Sequence, residues 1–256
     1  MSHILSVARE TFLRLRRDRI FLPAAIVGIG LLLLSGTASF WGVEEFYKIL
    51  YDLSTTIYHF VGVTVAVFWG IKIIGDSASE GSLEVQLASP VARGYWLIGK
   101  YLGLLLGLCF LAILLLVGLQ FVYLGYGMGA LTVDLIGIFF CLSLSWFVMA
   151  AVAVLTSVIS SGSVALFVSF WVFIAGLLTA PLMQSLAPDT PENIRYFMEF
   201  LAGVWNLHYF NLYEMGAKSE SITWTILNAR LLYGFCLVAL LLSISVLCFQ
   251  NKDLSS

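Results

Sequence analysis

The chain has little charge. Of its 256 residues, 13 are Lys or Arg and 15 are Asp or Glu, 11% in all, where a soluble domain carries roughly a quarter. That scarcity excludes a soluble ATPase and a nucleic-acid binder with a basic face. Cysteine is sparse too. Cys109, Cys141, Cys236 and Cys248 lie in apolar runs without C-x-x-C or Cys/His spacing, which excludes a disulfide-stapled module or a metal site and predicts small packing residues. Catalytic signatures are missing as well: there is no H-E-x-x-H and no nucleophile elbow, and His3, His59 and His208 are too scattered to pre-form a metal site. Residues 94–101 approach a phosphate-binding loop, but Tyr101 stands where Ser or Thr would meet magnesium. No strand pattern precedes that run, and Tyr95, Trp96 and Leu97 read as a membrane-interface signature. The expectation is no catalytic residue and no bound metal.

What is present is apolar. Hydrophobic residues make up 61% of the chain and the mean hydropathy is +0.99. A membrane-crossing helix needs about 20 mostly apolar residues, and six stretches qualify: about 20–40, 55–74, 97–124, 134–158, 163–186 and 226–249. The predicted fold is all-α, a single polytopic membrane domain over residues 1–256. The first run is long and follows a basic segment, so it reads as a retained anchor rather than a cleaved signal.

Lys and Arg near the span ends set orientation. With the N-terminus inside, Arg9, Arg14, Arg16, Arg17, Arg19, Lys72, Arg93, Lys100 and Lys252 are cytoplasmic, against Lys48, Arg195, Lys218 and Arg230 outside. Both termini then lie in the cytoplasm. Within residues 3–19, Ile4, Val7, Ala8, Phe12 and Leu15 recur at helical spacing while Arg9, Arg14, Arg16 and Arg17 fall largely elsewhere. This predicts an amphipathic helix in the headgroup layer, although the arginines alone would satisfy the positive-inside rule.

The connection 41–54 holds Glu44, Glu45 and Asp52, and 187–225 holds Pro188, Pro191, Trp205, Tyr209, Phe210 and Tyr213. The aromatic content of the longer one predicts short helices resting at the outer interface. The spans themselves carry almost no ionisable group: Lys72 and Asp134 sit at span ends, and His59, in the outer part of the second span, reads as a packed or interfacial histidine. That argues against an ion-coupled carrier or proton pump. Gly99, Gly103 and Gly107 form a small-residue ridge on the third span for close helix packing, within the chain or between protomers. Thr64, Ser143, Ser145 and Ser169 are candidate polar lining, or bond to their own helix backbones.

Residues 76–100 carry the most specific signal. Ser77 and Glu80 form a capping box, Leu83 and Leu87 share one helical face with Glu80 and Glu84 on another, and Pro90 stops the helix. A short amphipathic helix between two spans is a docking handle for a soluble partner, or a solvated turn. The string Glu80-Gly81-Ser82-Leu83-Glu84, then Leu87-Ala88-Ser89-Pro90-Val91, then Arg93 and Gly99-Lys100 resembles the cytoplasmic signature of ABC-2 type permeases. Asn206 to Leu212 is similar to their Pro-Asn-Leu-x-x-Phe-Asn/Asp stretch, with Trp205 in place of the proline. Within the group, the likeness is to permeases linked to multicopper-enzyme maturation and gliding motility.

The resemblance implies a type V exporter architecture: an elbow helix, six spans, a dimer of permeases and two copies of a separate ATPase subunit that binds ATP and Mg. It implies that Glu80, Leu83, Glu84, Leu87 and Arg93 contact the ATPase, in the cytoplasmic (inner) membrane. The chain would be a permease subunit and not an enzyme. The alternative is a membrane scaffold or assembly factor that transports nothing. The apolar interior suits a lipid-like, peptide or otherwise amphiphilic cargo.

Overall fold

Lipid offers no hydrogen bonds, so each backbone group inside it must be satisfied within its own helix or a closed barrel. The computed structural model describes residues 2–39, 46–79, 93–185, 191–212 and 223–250, and among these it holds eight α-helices, one 3-10 turn and no strand. In chain order they are α1 (Ser2–Arg16), α2 (Phe21–Ser39), α3 (Phe46–Ser79), α4 (Arg93–Gly125), α5 (Val133–Ile159), α6 (Gly162–Ser185), α7 (Glu192–Val204), the 3-10 turn Leu207–Phe210, and α8 (Trp224–Gln250). Helices α3, α4, α5, α6 and α8 are each long and apolar enough to cross a membrane; α2 makes a sixth candidate together with α1, from which it bends by 60°.

Helix α5 is the centre of the bundle, with 83% of its most apolar window buried, while α6 and α8 bury 28% and 22% of theirs. The outer helices therefore turn large apolar side chains to the surface: Leu22, Ile26 and Leu34 on α2, Phe167 and Trp171 on α6, Phe235 and Leu247 on α8. In a chain that lives in lipid, that surface is solvated rather than sticky.

The tightest crossing joins α3 to α5. Gly62 lies directly under the indole of Trp146, where a Cβ would overlap the ring, and a Cβ on Gly70 would stand 2.6 Å from Ala153 Cβ and 3.0 Å from the Ala150 carbonyl. The missing side chains let the helices approach, as small residues do throughout membrane bundles. Tyr58, one turn before Gly62, places its ring 4.6 Å from Trp146 and donates to Ser143 Oγ at 2.7 Å, while Ser143 donates to the Phe139 carbonyl at 2.9 Å.

Several boundaries differ from the sequence expectation: α4 begins at Arg93, and α3 runs on to Ser79, so Ser77 continues that helix instead of opening a new one. Helix α3 starts at Phe46, inside the connection predicted over 41–54. Apolar run length ignores residues that bury without being lipid-like: Leu50, Tyr51, Ser54 and Thr55 are all buried, and Ser54 and Thr55 both donate to the Tyr51 carbonyl. The elbow helix ends at Arg16 rather than residue 19, because Asp18 accepts from the Ile20 amide at 3.1 Å and turns the chain into α2. The α4–α5 turn is closed by Gly127 and Gly129, at φ 76° and 81°, a region glycine enters without steric cost. Gln120 Oε1 accepts from the Leu131 amide at 2.8 Å, and Thr132 caps α5.

Gly62→Ala drives a methyl into Trp146 and is expected to destabilise the fold by about 1–3 kcal/mol, the usual range for overpacking. Gly30→Ala, where nothing lies within 4 Å, is expected to leave the thermal midpoint of the detergent-purified protein unchanged or slightly raised. Equal midpoints for the two variants would contradict the packing described.

Candidate functional site

At one end of the bundle the elbow helix lies along α4. A Cβ on Gly99 would stand 2.9 Å from Val7, one on Gly103 2.5 Å from the Ala8 carbonyl, and one on Gly107 3.0 Å from Trp69 and 3.5 Å from Leu15. The three glycines thus form the floor on which α1 and α3 of the same chain rest. The face of α1 that meets them is Ala8, Thr11 and Leu15, all buried, and Arg9, Arg14, Arg16 and Arg17 are exposed.

The turn between α1 and α2 delivers Asp18 to α3. Lys72 Nζ donates to both carboxylate oxygens of Asp18, at 2.8 and 2.7 Å. The Asp18 side chain is 6% exposed and that of Lys72 35%, so the pair is half sheltered from screening and ties the elbow to the last turns of α3. Beside it a cavity of about 20 Å³, water-sized, is lined by Thr11, Arg14, Leu15, Asp18, Lys72, Ile73 and Lys100. Lys100 is itself buried, with its ammonium 5.3 Å from the centre of the Trp96 ring, which stacks on Phe249 of α8. The Asp18–Lys72 pair was not foreseen from sequence. Its partners are 54 positions apart, and the available signal was that Lys72 is a lone charge in an apolar run and Asp18 an acid set among arginines.

The opposite end of the bundle holds a cavity of about 510 Å³, lined by Asp52, Thr55, Thr56, His59, Phe60, Leu142, Phe173, Leu177 and Asn211. Asp52, Thr55, Thr56 and His59 follow at i, i+3, i+4 and i+7, one face of α3. Asp52 Oδ1 is enclosed and has no hydrogen-bond partner among the described residues. His59 Nε2 lies 2.9 Å from Ser145 Oγ, whose own proton goes to the Leu142 carbonyl at 2.6 Å. The neutral imidazole accordingly donates from Nε2 and leaves Nδ1 as an acceptor. Phe173 meets the same ring edge-on at 5.6 Å.

The segment after α7 closes this end. Helix α7 buries no residue, and beyond it Trp205 Nε1 donates to the Val172 carbonyl of α6 at 3.0 Å. Asn206 Oδ1 caps the 3-10 turn through the Tyr209 amide at 3.1 Å, and Leu207, Phe210 and Leu212 are buried. Tyr233 Oη of α8 accepts from the Asn206 amide at 2.9 Å and donates to the Val204 carbonyl at 3.1 Å. Arg230 donates to the Tyr209 carbonyl at 2.8 Å and lies over the Tyr209 ring at 4.7 Å. This pinned turn brings Asn211 to the cavity wall.

The family model described as ABC-2 family transporter protein matches residues 8–254. The chain belongs to the ABC-2 transporter family. A comparison with curated proteins found no match. As a member of that family the protein is a multi-pass membrane component of a transport system, a role that needs no catalytic residue of its own. Its residues 94–101 are helical throughout, with Gly94 against Val246 and the Tyr101 hydroxyl donating to the Phe147 carbonyl at 2.9 Å, so they form no phosphate-binding loop.

Of the residues the sequence assigned to partner contact, Glu80, Leu83, Glu84 and Leu87 lie outside the described residues, and Arg93 opens α4. In this ABC-2 protein the connection 80–92 leaves from α3 two turns past Lys72 and returns into α4 ahead of Gly99. The polar candidates separate. Ser143 and Ser145 bond both to their own helix and to Tyr58 or His59 of α3, Ser169 meets Thr156 at 3.0 Å, and Thr64 Oγ1 has no partner among the described residues.

Asp18→Asn leaves the Lys72 ammonium half-buried without its counter-ion. It is expected to destabilise the protein by about 1–3 kcal/mol, less than a fully buried pair would lose because Lys72 reaches solvent. The double variant Asp18→Asn/Lys72→Met is expected to recover part of that loss in a double-mutant cycle of thermal unfolding; strictly additive losses would contradict the coupling.

Proposed function

We propose that this protein is the membrane-spanning permease subunit of an ATP-binding-cassette exporter, driven by ATP hydrolysis in a separate subunit. The observation that carries this reading is the family match, which runs from the elbow helix past the end of α8. The charge distribution supports an orientation with both termini and the 80–92 connection in the cytoplasm and the Asp52–His59 cavity toward the outside, because Arg9, Arg14, Arg16, Arg17, Lys72 and Lys100 all gather at the elbow end. The membrane is then the cytoplasmic (inner) one.

Glu80, Leu83, Glu84, Leu87 and Arg93 are the residues we assign to ATPase contact, with the amphipathic stretch after α3, up to Pro90, as the coupling helix. The ATPase binds ATP and Mg; this chain contributes two packings of its helices rather than chemistry. Its elements are suited to that. The Asp18–Lys72 ion pair tethers the elbow to α3, and the glycine floor gives α1 a smooth surface on α4 to shift along. A dimer of permeases, with the exposed faces of α2 and α6 at the seam, completes the assembly in this reading.

The test is co-expression with candidate ATPase subunits and size-exclusion of the purified complex. Co-elution is expected from the wild type, and its loss on deleting residues 77–90 or on the double reversal Glu80→Lys/Glu84→Lys, with the thermal midpoint of the chain itself unchanged. If association survives the deletion, the coupling assignment is wrong. If no ATPase associates at all and the chain instead retains other partners, the scaffold reading replaces the permease.

A further inference from the structure

The cavity between α3, α5 and α6 is rich in acceptors: Asp52, Thr55 and His59 present lone pairs to it, beside Thr56 and Asn211, which can donate as well as accept. Asp52 Oδ1 has no donor. Thr55 spends its proton on the Tyr51 carbonyl at 2.7 Å, and His59 spends its proton on Ser145, leaving Nδ1. Pro181 lies inside α6 and has no N–H to give the carbonyl of Leu177, four residues earlier, another lining residue. Among the described residues no Lys or Arg lines the space; Lys48, one turn before Asp52, is exposed and is not part of the lining. An enclosed carboxylate oxygen without a partner is costly, and acceptors converging from α3 and α6 call for a ligand rich in donors and positive charge.

The rest of the wall states what the ligand's other end is. Phe60, Leu142, Phe173 and Leu177 supply apolar surface, and Phe60 is 58% exposed on the flank of the bundle, where α3 faces lipid. A ligand entering there keeps its apolar body beside Phe60 and its head against Asp52. About 510 Å³ falls within the range of small-molecule sites and accommodates an amine head with the first part of a chain, and the aromatic faces of Phe60 and Phe173 favour a cation further.

We propose that this cavity binds the cationic amine head of an amphiphile, with Asp52 as its counter-ion, His59 Nδ1 as a second acceptor and Phe60 and Phe173 around the proximal chain. That the occupant is cargo rests on the permease reading; that the site binds an ammonium amphiphile does not.

The test uses the full chain alone in phosphatidylcholine nanodiscs, with a diazirine-bearing dodecylammonium as photoprobe and peptide mapping of the label. Labelling is expected on the peptides carrying Phe60, Leu142 or Phe173, with competition by dodecyltrimethylammonium and none by dodecyl sulfate or dodecyl maltoside. Asp52→Asn is expected to weaken labelling about tenfold, since it removes one member of a sheltered charge pair, whereas Asp52→Glu retains most of it. A thermal midpoint for each variant shows that the fold is kept. Labelling elsewhere, indifference to Asp52→Asn in a folded protein, or equal competition by dodecyl sulfate overturns the proposal. Because no ATPase is in the sample, absent labelling with intact ATPase co-elution defeats this inference alone. Labelling without any ATPase association defeats the permease reading and leaves the binding site.

Discussion

The close approach of α3 and α5 is the contact on which the rest of this structure depends. It exists because Gly62 and Gly70 carry no side chain where Trp146 and Ala153 need the space. With α5 at the centre of the bundle, α3 becomes a fixed rod of 34 residues, about 50 Å at 1.5 Å per residue. One of its faces supplies Asp52, Thr55, Thr56 and His59 to the cavity, and some 20 positions later Lys72 reaches the elbow. The polar face of the cavity and the cation of the elbow ion pair are therefore carried by one helix, whose last residues lead into the 80–92 connection.

The sparse charge acquires a structural sense in this frame. Lipid tolerates ionisable groups only at ends, in pairs or facing a cavity. Asp18 and Lys72 satisfy the second condition, Lys100 is folded over Trp96, and Asp52 and His59 satisfy the third. Among the described residues, most of the other polar groups in the bundle interior are hydroxyls bonded to neighbouring helices or to their own carbonyls, with Thr64 Oγ1 and the indole N–H groups of Trp69 and Trp146 left without a partner. In the reading proposed above, motion imposed at the elbow end passes through packed helices.

Much of this was legible in the sequence, and the parts that were not share a cause. Long apolar runs located α2 to α6 and α8, periodicity located α1, and the aromatic content of 187–225 foretold ordered turns in a region that forms α7 and the pinned 3-10 turn. The string around Glu80 to Lys100 pointed to the family before any fold was known. The cavity was missed because run length placed Asp52 in a connection, although the spacing of Asp52, Thr55, Thr56 and His59 is a polar stripe once α3 is allowed to begin at Phe46. The Asp18–Lys72 pair and the seat of Trp146 over Gly62 join distant segments, and nothing local in either partner announces the other. Trp205, a departure from the family pattern, is explained by the Val172 carbonyl it finds on α6.

The central claim is that ATP bound by another subunit repacks this chain and changes access to its cavity. The most direct measurement places a single cysteine at Thr56, on the exposed wall of the cavity, after replacing Cys109, Cys141, Cys236 and Cys248. A membrane-impermeant maleimide then reads its accessibility in proteoliposomes containing the ATPase subunit. The account predicts a labelling rate that changes at least severalfold on adding ATP and Mg, and no change when the ATPase is omitted. A rate indifferent to ATP with the ATPase bound and hydrolysing would contradict it.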